Sequence, residues 1–240
     1  MKVGIAIVHY GDDQLLENCT ASLKEGGVVA RDIRVHNCNK DNIGFSNGNN
    51  VLIKNLLAEN DVMFGGYDWI WLLNNDTTVD TETIKSIHQV LPELPPNVGV
   101  VGFKILSMEN PDLIHHAGTL QAIPSGVHKS GSVKLRQFTK RTCEKWVTFA
   151  SVLIRRDVFL EVGLLDGRMI NYSSDSDFCY RARYAGWMVI YEPSFIVKHK
   201  IGQSANPSSE QRKVLIHDSF IFQNKWINGK LFHDLDHELV

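Results

Sequence analysis

Long apolar stretches, runs of like charge and closely spaced cysteines are all missing from this 240-residue chain, and each absence excludes a class of function. The net charge is -2 and the Lys and Arg residues are scattered. No basic field exists to hold a nucleic acid, so a small ligand is the better-matched partner. The apolar run at residues 3–8 is too short for a signal-peptide core and far too short to span a bilayer, so a cytoplasmic protein is expected. The four cysteines, Cys19, Cys38, Cys143 and Cys179, have neither metal-knuckle nor redox spacing. They read as packing residues in a reducing compartment. There is no Walker sequence and no Gly-x-Gly-x-x-Gly, which weakens nucleoside triphosphate hydrolysis and dinucleotide binding. Internal repeats, low-complexity segments and interdomain linkers are also absent. With 43% hydrophobic residues, the chain can bury the core of one domain.

What is present is an alternation of strand and helix patterns. Residues 3–8 form a small and β-branched run suited to a strand buried on both faces, with His9 and Tyr10 at its carboxyl end. Leu15, Leu16, Cys19 and Leu23 recur at helical spacing behind a cap at Asp12 or Asp13. Residues 33–35 predict a second strand, 46–57 a helix, 69–73 a buried strand, 83–91 a helix and 98–101 another strand. In the second half, strands are predicted at 146–154, 188–191 and 195–197, with helices at 156–162 and from Asp175 to a stop at Gly186. This order predicts an open α/β sheet whose ligands lie beyond the carboxyl ends of its strands, where His9, His36, Asn37, Asn74, Asn75 and Asp76 fall.

Several of these residues carry chemistry. Asp76 closes a buried strand and offers a carboxylate oxygen to a hard cation, which favours a few protein oxygens together with substrate phosphates. The same stretch, residues 74–78, also reads as an Asx-rich turn capping the next helix. His199 follows a strand and precedes a polar segment, as a neutral-imidazole ligand or as a surface residue. Asp175 lies in the first turn of a helix, where the dipole favours its ionised form; it reads either as a proton acceptor or as a helix-stabilising acid. Asp177 and Arg181, four apart, are expected to pair on the helix face. Asn42, Gly44, Asn49 and their neighbours could cradle a diphosphate or ribose, or serve only close packing. Trp146 is a candidate stacking surface for an acceptor.

These pieces share an order with a known family. The chain resembles glycosyltransferase family 2, in its bacterial rhamnosyltransferase-like group. The resemblance rests on Val8-His9-Tyr10, Asn42-x-Gly44-Phe45-x-x-Gly48-Asn49-Asn50, Leu72-Leu73-Asn74-Asn75-Asp76-Thr77 and the 153–159 stretch with Val162-Gly163 and Asp166. It continues through Tyr172-x-x-Asp175-x-Asp177-Phe178-Cys179-x-Arg181, Ala185-Gly186, Tyr191-x-Pro193 and His199-x-x-Gly202-x-Ser204. It implies a GT-A fold, an open and mostly parallel Rossmann-like sheet with helices on both faces. The implied division is a nucleotide-binding half at 1–103, an acceptor and catalytic half at 104–205 and a C-terminal helical segment at 206–240. It further implies inverting transfer from a nucleoside diphosphate sugar, dTDP-rhamnose or a UDP-sugar, to a saccharide or lipid-linked glycan.

Under the resemblance Asp76 and His199 hold Mn2+ or Mg2+, and Asp175 is the catalytic base. His9, Tyr10, Asn37, Asn42, Gly44, Asn49, Asn74, Asn75 and Asp76 are the expected donor-side residues, and Trp146 and Ser174 the expected acceptor-side ones. Where the family has a Glu-Asp pair this chain reads Ser174-Asp175, and where the family's second strand ends in Asp-Asn-x-Ser it reads His36-Asn37-Cys38-Asn39. The rival readings are a nucleotidyltransferase-type nucleotide-sugar enzyme and an inactive sugar-nucleotide-binding module. The apolar residues Val214, Leu215, Phe220, Ile221, Phe222, Trp226 and Ile227 predict one or two amphipathic C-terminal helices. Their apolar face is expected to meet the domain itself, a second subunit as in a homodimer, or the inner face of the cell membrane.

Overall fold

The computed structural model describes residues 1–59, 66–121, 127–200 and 208–229. Strands β1 (Val3–His9), β2 (Ile33–Asn37) and β3 (Trp69–Asn74) alternate with helices α1 (Asp13–Glu25) and α2 (Gly44–Ala58). A short β4 (Thr77–Val79), helix α3 (Thr81–Val90) and the long β5 (Val98–Ser107) follow. The next strands are short: β6 (Leu113–His116), β7 (Thr119–Gln121), β8 (Val127–His128), β9 (Gly131–Ser132) and β10 (Thr142–Cys143). Then come β11 (Ser151–Arg155), α4 (Arg156–Val162), α5 (Ser174–Tyr184), β12 (Met188–His199) and α6 (Ser209–Gln223), the last extended by a π turn over Asn224–Asn228.

The main sheet runs β10-β12-β5-β11-β3-β1-β2. β1 is parallel to both β2 and β3, and β12 is parallel to β5, while β11 lies antiparallel between β3 and β5. The reversal has a simple origin. Among the described residues no α-helix crosses over between β5 and β11, and the chain re-enters the sheet from the same carboxyl rim at which β5 ends.

Period-two alternation divides the core cleanly. Ile5, Ile7, Trp69, Trp71 and Leu73 face α1 and α3, where they meet Cys19, Leu23, Ile84 and Ile87. Ala6, Ile70 and Leu72 face the opposite layer of α2, α4, α5 and α6, with Leu52, Phe159, Phe178, Phe222 and Trp226. Strands covered on both sides have no polar face to display, which is why they read as unbroken apolar runs. Trp71 is fully buried yet satisfied, because its indole N–H donates to Ser151 Oγ at 2.9 Å.

Three expectations are corrected here. Of residues 146–154, only Ser151 onward joins a strand. The two strands predicted around Pro193 are one strand, β12, whose register slips between Glu192 and Ile196; the bulge accommodates a proline that cannot donate to a ladder. Cys143 is exposed, whereas the other three cysteines are buried as packing residues, and all four are free. Among the described residues no helix is long and apolar enough to cross a membrane.

Candidate active site

The carboxyl end of β3 is built by a turn that reverses the chain. Thr77 Oγ1 donates to the Asn74 carbonyl at 2.7 Å, and the chain returns as β4. β4 then pairs antiparallel with the end of β12, setting His199 opposite Thr77 and Lys198 opposite Thr78. The Lys200 amide donates to the Asp76 carbonyl at 2.9 Å, closing the stitch. This ladder brings together two residues far apart in sequence, with Asp76 Oδ1 3.0 Å from His199 Nε2. The cap of α3 is supplied by Asp80, which accepts from the Thr83 amide at 2.8 Å, so Asp76 is not used for capping.

Asp76 Oδ1 is buried and receives no aligned hydrogen bond, because His199 lies close but outside donor geometry. Leaving a buried carboxylate oxygen unpaired is costly. A cation would offset that cost, and a carboxylate oxygen facing an imidazole nitrogen is a donor set that first-row divalent ions and magnesium accept. Among the described residues no third His, Cys, Asp or Glu joins this pair, so phosphate and water oxygens would complete the shell. The residues present therefore fit a hard divalent ion. Gly202 and Ser204, named with His199 from the sequence, lie outside the described residues.

His9 is fully buried at the end of β1. Asn75 Nδ2 approaches its Nδ1 at 3.0 Å, while Asp13 Oδ1 at 2.7 Å and Asn39 Nδ2 at 3.1 Å both meet its Nε2. Asn39 and Gly11 exchange hydrogen bonds beside it, joining the loops after β1 and β2. His9 is thus held inside the rim and orients Asn75. Asp13 and Asn39 were not singled out by sequence reading, which treated Asp13 only as a cap; the four-residue spacing from His9 across the turn was the available signal. Tyr10 is 60% exposed on this rim, and Asn37 and Asn42 are exposed.

The Asn-rich stretch is largely occupied with the protein itself. Asn49 is buried and donates to the Phe45 carbonyl, and Asn50 exchanges two hydrogen bonds with the Leu165 backbone. Gly44 has φ +81°, and a Cβ there would lie 2.5 Å from Ile170 Cγ2. Gly48 packs α2 against Val8. The Ser46 amide and hydroxyl donate to the Ile170 and Met169 carbonyls. This segment therefore locks α2 onto the loop that leads into α5.

Asp175 enters from that loop in the first turn of α5. β11 begins beside the end of β3, where the Asn74 amide donates to the Ala150 carbonyl at 2.9 Å. The neighbouring Phe149 amide and the Ser176 amide reach the Asp175 carboxylate. Asp175 thereby joins the rim that carries Asp76. Its half-buried setting among protein atoms pushes the carboxyl up to about 6, with desolvation outweighing those hydrogen bonds.

The acceptor-side expectations are corrected. Trp146 is 3% exposed, packed against the His116 and His128 rings, and offers no open face for stacking. Ser174 is buried at 2% exposure. The Asp177–Arg181 pair exists at 2.9 Å but is interior, since Asp177 is fully buried and also accepts from Lys225 and the Trp226 indole.

Against known proteins, the family described as "Glycosyltransferase like family 2" matches residues 12–216. A curated relative, the N-acetylglucosaminyl-diphospho-decaprenol L-rhamnosyltransferase of Mycobacterium tuberculosis, is 33% identical over 78 residues, which is 32% of this chain and 25% of that protein. Among solved structures, GalNAc-T7 with UDP, GalNAc and Mn2+ aligns with a TM-score of 0.57 and 13% identity, covering 86% of this chain and 45% of that one. The mannosyltransferase PcManGT from Pyrobaculum calidifontis, with GDP-Man and Mn2+, gives 0.54 at 10% identity over 85% and 58%. S. aureus TarS with UDP gives 0.54 at 11% identity over 85% and 61%. The chain spans less than two thirds of each of these proteins.

Proposed function

Because this chain belongs to the family 2 glycosyltransferases and has the GT-A fold, we propose that it transfers a sugar with inversion from a nucleoside diphosphate donor to a saccharide or lipid-linked glycan. The donor is dTDP-rhamnose in the first instance, in line with the curated rhamnosyltransferase, and a UDP-sugar in the second, in line with the UDP-bound neighbours. The observation that carries this reading is the buried Asp76 Oδ1, which accepts no hydrogen bond and lies 3.0 Å from His199 Nε2 at the rim.

In this reading Asp76 and His199 hold Mn2+ or Mg2+, which when bound neutralises the charge developing on the leaving diphosphate. Tyr10 and Asn37, exposed at the ends of β1 and β2, flank the nucleoside, with Asn42 and Asn74 nearby. His9 acts indirectly by holding Asn75 through the contact at its Nδ1. Asp175 accepts the proton of the acceptor hydroxyl as that oxygen bonds to the anomeric carbon and the bond to the diphosphate oxygen breaks. A carboxyl poised at about 6 is ionised at neutral pH and still basic enough to take that proton. Leu215, Ile216 and Phe220 of α6 are exposed and form the face through which the enzyme would meet a membrane carrying its acceptor. Cosedimentation with anionic vesicles, lost on Phe220→Ser, is the expected result; equal recovery without vesicles removes that contact.

The central test is a thermal-shift and turnover assay with dTDP-rhamnose and UDP-sugars, with and without manganese. At a hundredfold excess over Kd the donor should stabilise the protein by about 2.7 kcal/mol, only with metal present. Asp76→Ala should abolish both this shift and the release of nucleoside diphosphate. Full turnover in that variant would falsify the assignment, and pyrophosphate release in place of nucleoside diphosphate would indicate nucleotidyl transfer.

A further inference from the structure

Asp218 lies on α6, two positions beyond the last residue matched by the family, and is fully buried. Its Oδ2 accepts from the main-chain amides of Asn171 and Tyr172, each at 2.8 Å. Its Oδ1 sits 2.9 Å from Nδ1 of His217, whose ring is half exposed. The two amides belong to the loop that delivers Asp175. On the other side of this loop, Asn171 Oδ1 accepts from the Phe45 amide at 3.0 Å, and the Ile170 carbonyl accepts from the Ser46 amide at 3.1 Å. One residue later the backbone turns through the left-handed region, with Ser173 at φ 62° and ψ -6°, and α5 begins.

A non-glycine residue is held in that region only where its surroundings over-determine it. Here the surroundings are α2 from one side and a buried carboxylate from the other. Charge-assisted hydrogen bonds to two successive amides fix both peptide planes, and with them the direction in which the chain enters the helix.

We infer that Asp218 is a positioning residue for transfer: by gripping the Asn171 and Tyr172 amides from α6 it sets the Ser173 turn and so aims the Asp175 carboxylate at the acceptor hydroxyl. Asp218 touches no substrate and acts only through the loop. The inference rests on Asp175 being the base, as proposed above.

The test compares Asp218→Ala, Asp218→Asn, Phe222→Ala and Asp175→Asn in the full chain. Turnover is followed as nucleoside diphosphate release from dTDP-rhamnose with manganese, or from the UDP-sugar that gives turnover in its place. Phe222 is buried on the same helix, against Tyr180, and serves as a packing control. Asp218→Ala is expected to lower kcat ten- to a hundredfold with donor KM within twofold. It should also move the acid limb of the kcat profile and speed amide exchange at residues 171–173. Asp218→Asn, which keeps an acceptor oxygen, should recover part of the kcat. Phe222→Ala should lower the Tm while leaving kcat and the acid limb in place.

If kcat in Asp218→Ala stays within twofold of the parent, or falls only in proportion to the loss in Phe222→Ala, the positioning role is overturned. Where Asp218→Ala does not fold, a parent-like kcat and acid limb in Asp218→Asn overturns it equally. Activity retained in Asp175→Asn would instead refute the base assignment. Faster exchange at 171–173 with unchanged kcat, alongside an inactive Asp175→Asn, refutes the positioning role alone.

Discussion

At the scale of single residues, the proposed role of Asp175 and its contribution to stability pull in opposite directions. Its carboxyl is pushed up to about 6 by desolvation, against 3.8 for the free group, so the folded state binds its proton more tightly than the unfolded state. Stability from this group is therefore complete below about pH 4 and declines as pH rises toward 6. The proposed base role needs the opposite, the ionised form, so kcat should climb through the same interval. Asp175→Asn should accordingly lower kcat by roughly 10²–10⁴-fold. The same change should raise the Tm at pH 7 by a few degrees, with the gain shrinking to nothing near pH 4. A calorimetric pH series checks this, and an Asn variant less stable than the parent at pH 7 would contradict the desolvation account. At this scale the sequence disclosed residue types well and surroundings poorly. Asp76 and Asp175 stand out by their placement in the pattern, but nothing in the spacing announces that Trp146 is sealed behind two histidines. Burial depends on neighbours that arrive from elsewhere in the chain.

At the scale of elements, the helices and buried strands of the first half were legible because one periodicity governs each. Residues 12–23 predict α1, with Asp12 observed as its cap, accepting from the Gln14 amide at 3.0 Å. β4 was not legible. Three residues carry no periodicity, and their partner is the end of a strand in the other half. The Asn42 to Asn50 stretch shows a related limit, since its amides look ligand-ready but are mostly committed to the loop before α5. Gly44 sits at the centre of that junction. Gly44→Ala must accept a positive φ and a Cβ 2.8 Å from the Ile170 carbonyl oxygen. A loss of about 1–3 kcal/mol in urea unfolding is expected, with turnover falling further than stability because the displaced loop carries Asp175. Unchanged unfolding would mean the junction relaxes freely.

At the scale of the whole molecule, the alternation of strands and helices announced an open α/β sheet, but the reversal of β11 and the inward role of α6 did not follow from it. α6 has the mixed apolar pattern of a helix able to face lipid, a partner or its own domain. The structure turns Phe222 and Trp226 into the core beside Tyr180, and Trp226 donates to the buried Asp177 at 2.9 Å. The outer Ile216 and Phe220 remain free for contact. Trp226→Ala should cost about 3–5 kcal/mol, because it opens a cavity and strips a hydrogen bond from an interior carboxylate. A chemical-denaturation loss below 1 kcal/mol would show that α6 is an appendage.

In the proposed mechanism, the ladder between β4 and the tail of β12 also governs when the enzyme can begin to work. Its two strands come from different halves of the chain, and pairings of such long sequence separation form late because the intervening chain must first be closed. A nascent polypeptide that has emerged only through β5 already carries the aspartate but has no imidazole to set against it. On the proposed roles of Asp76 and His199, competence to capture the donor is withheld until synthesis has passed residue 199, which makes the proposed site a checkpoint on the integrity of the chain that builds it.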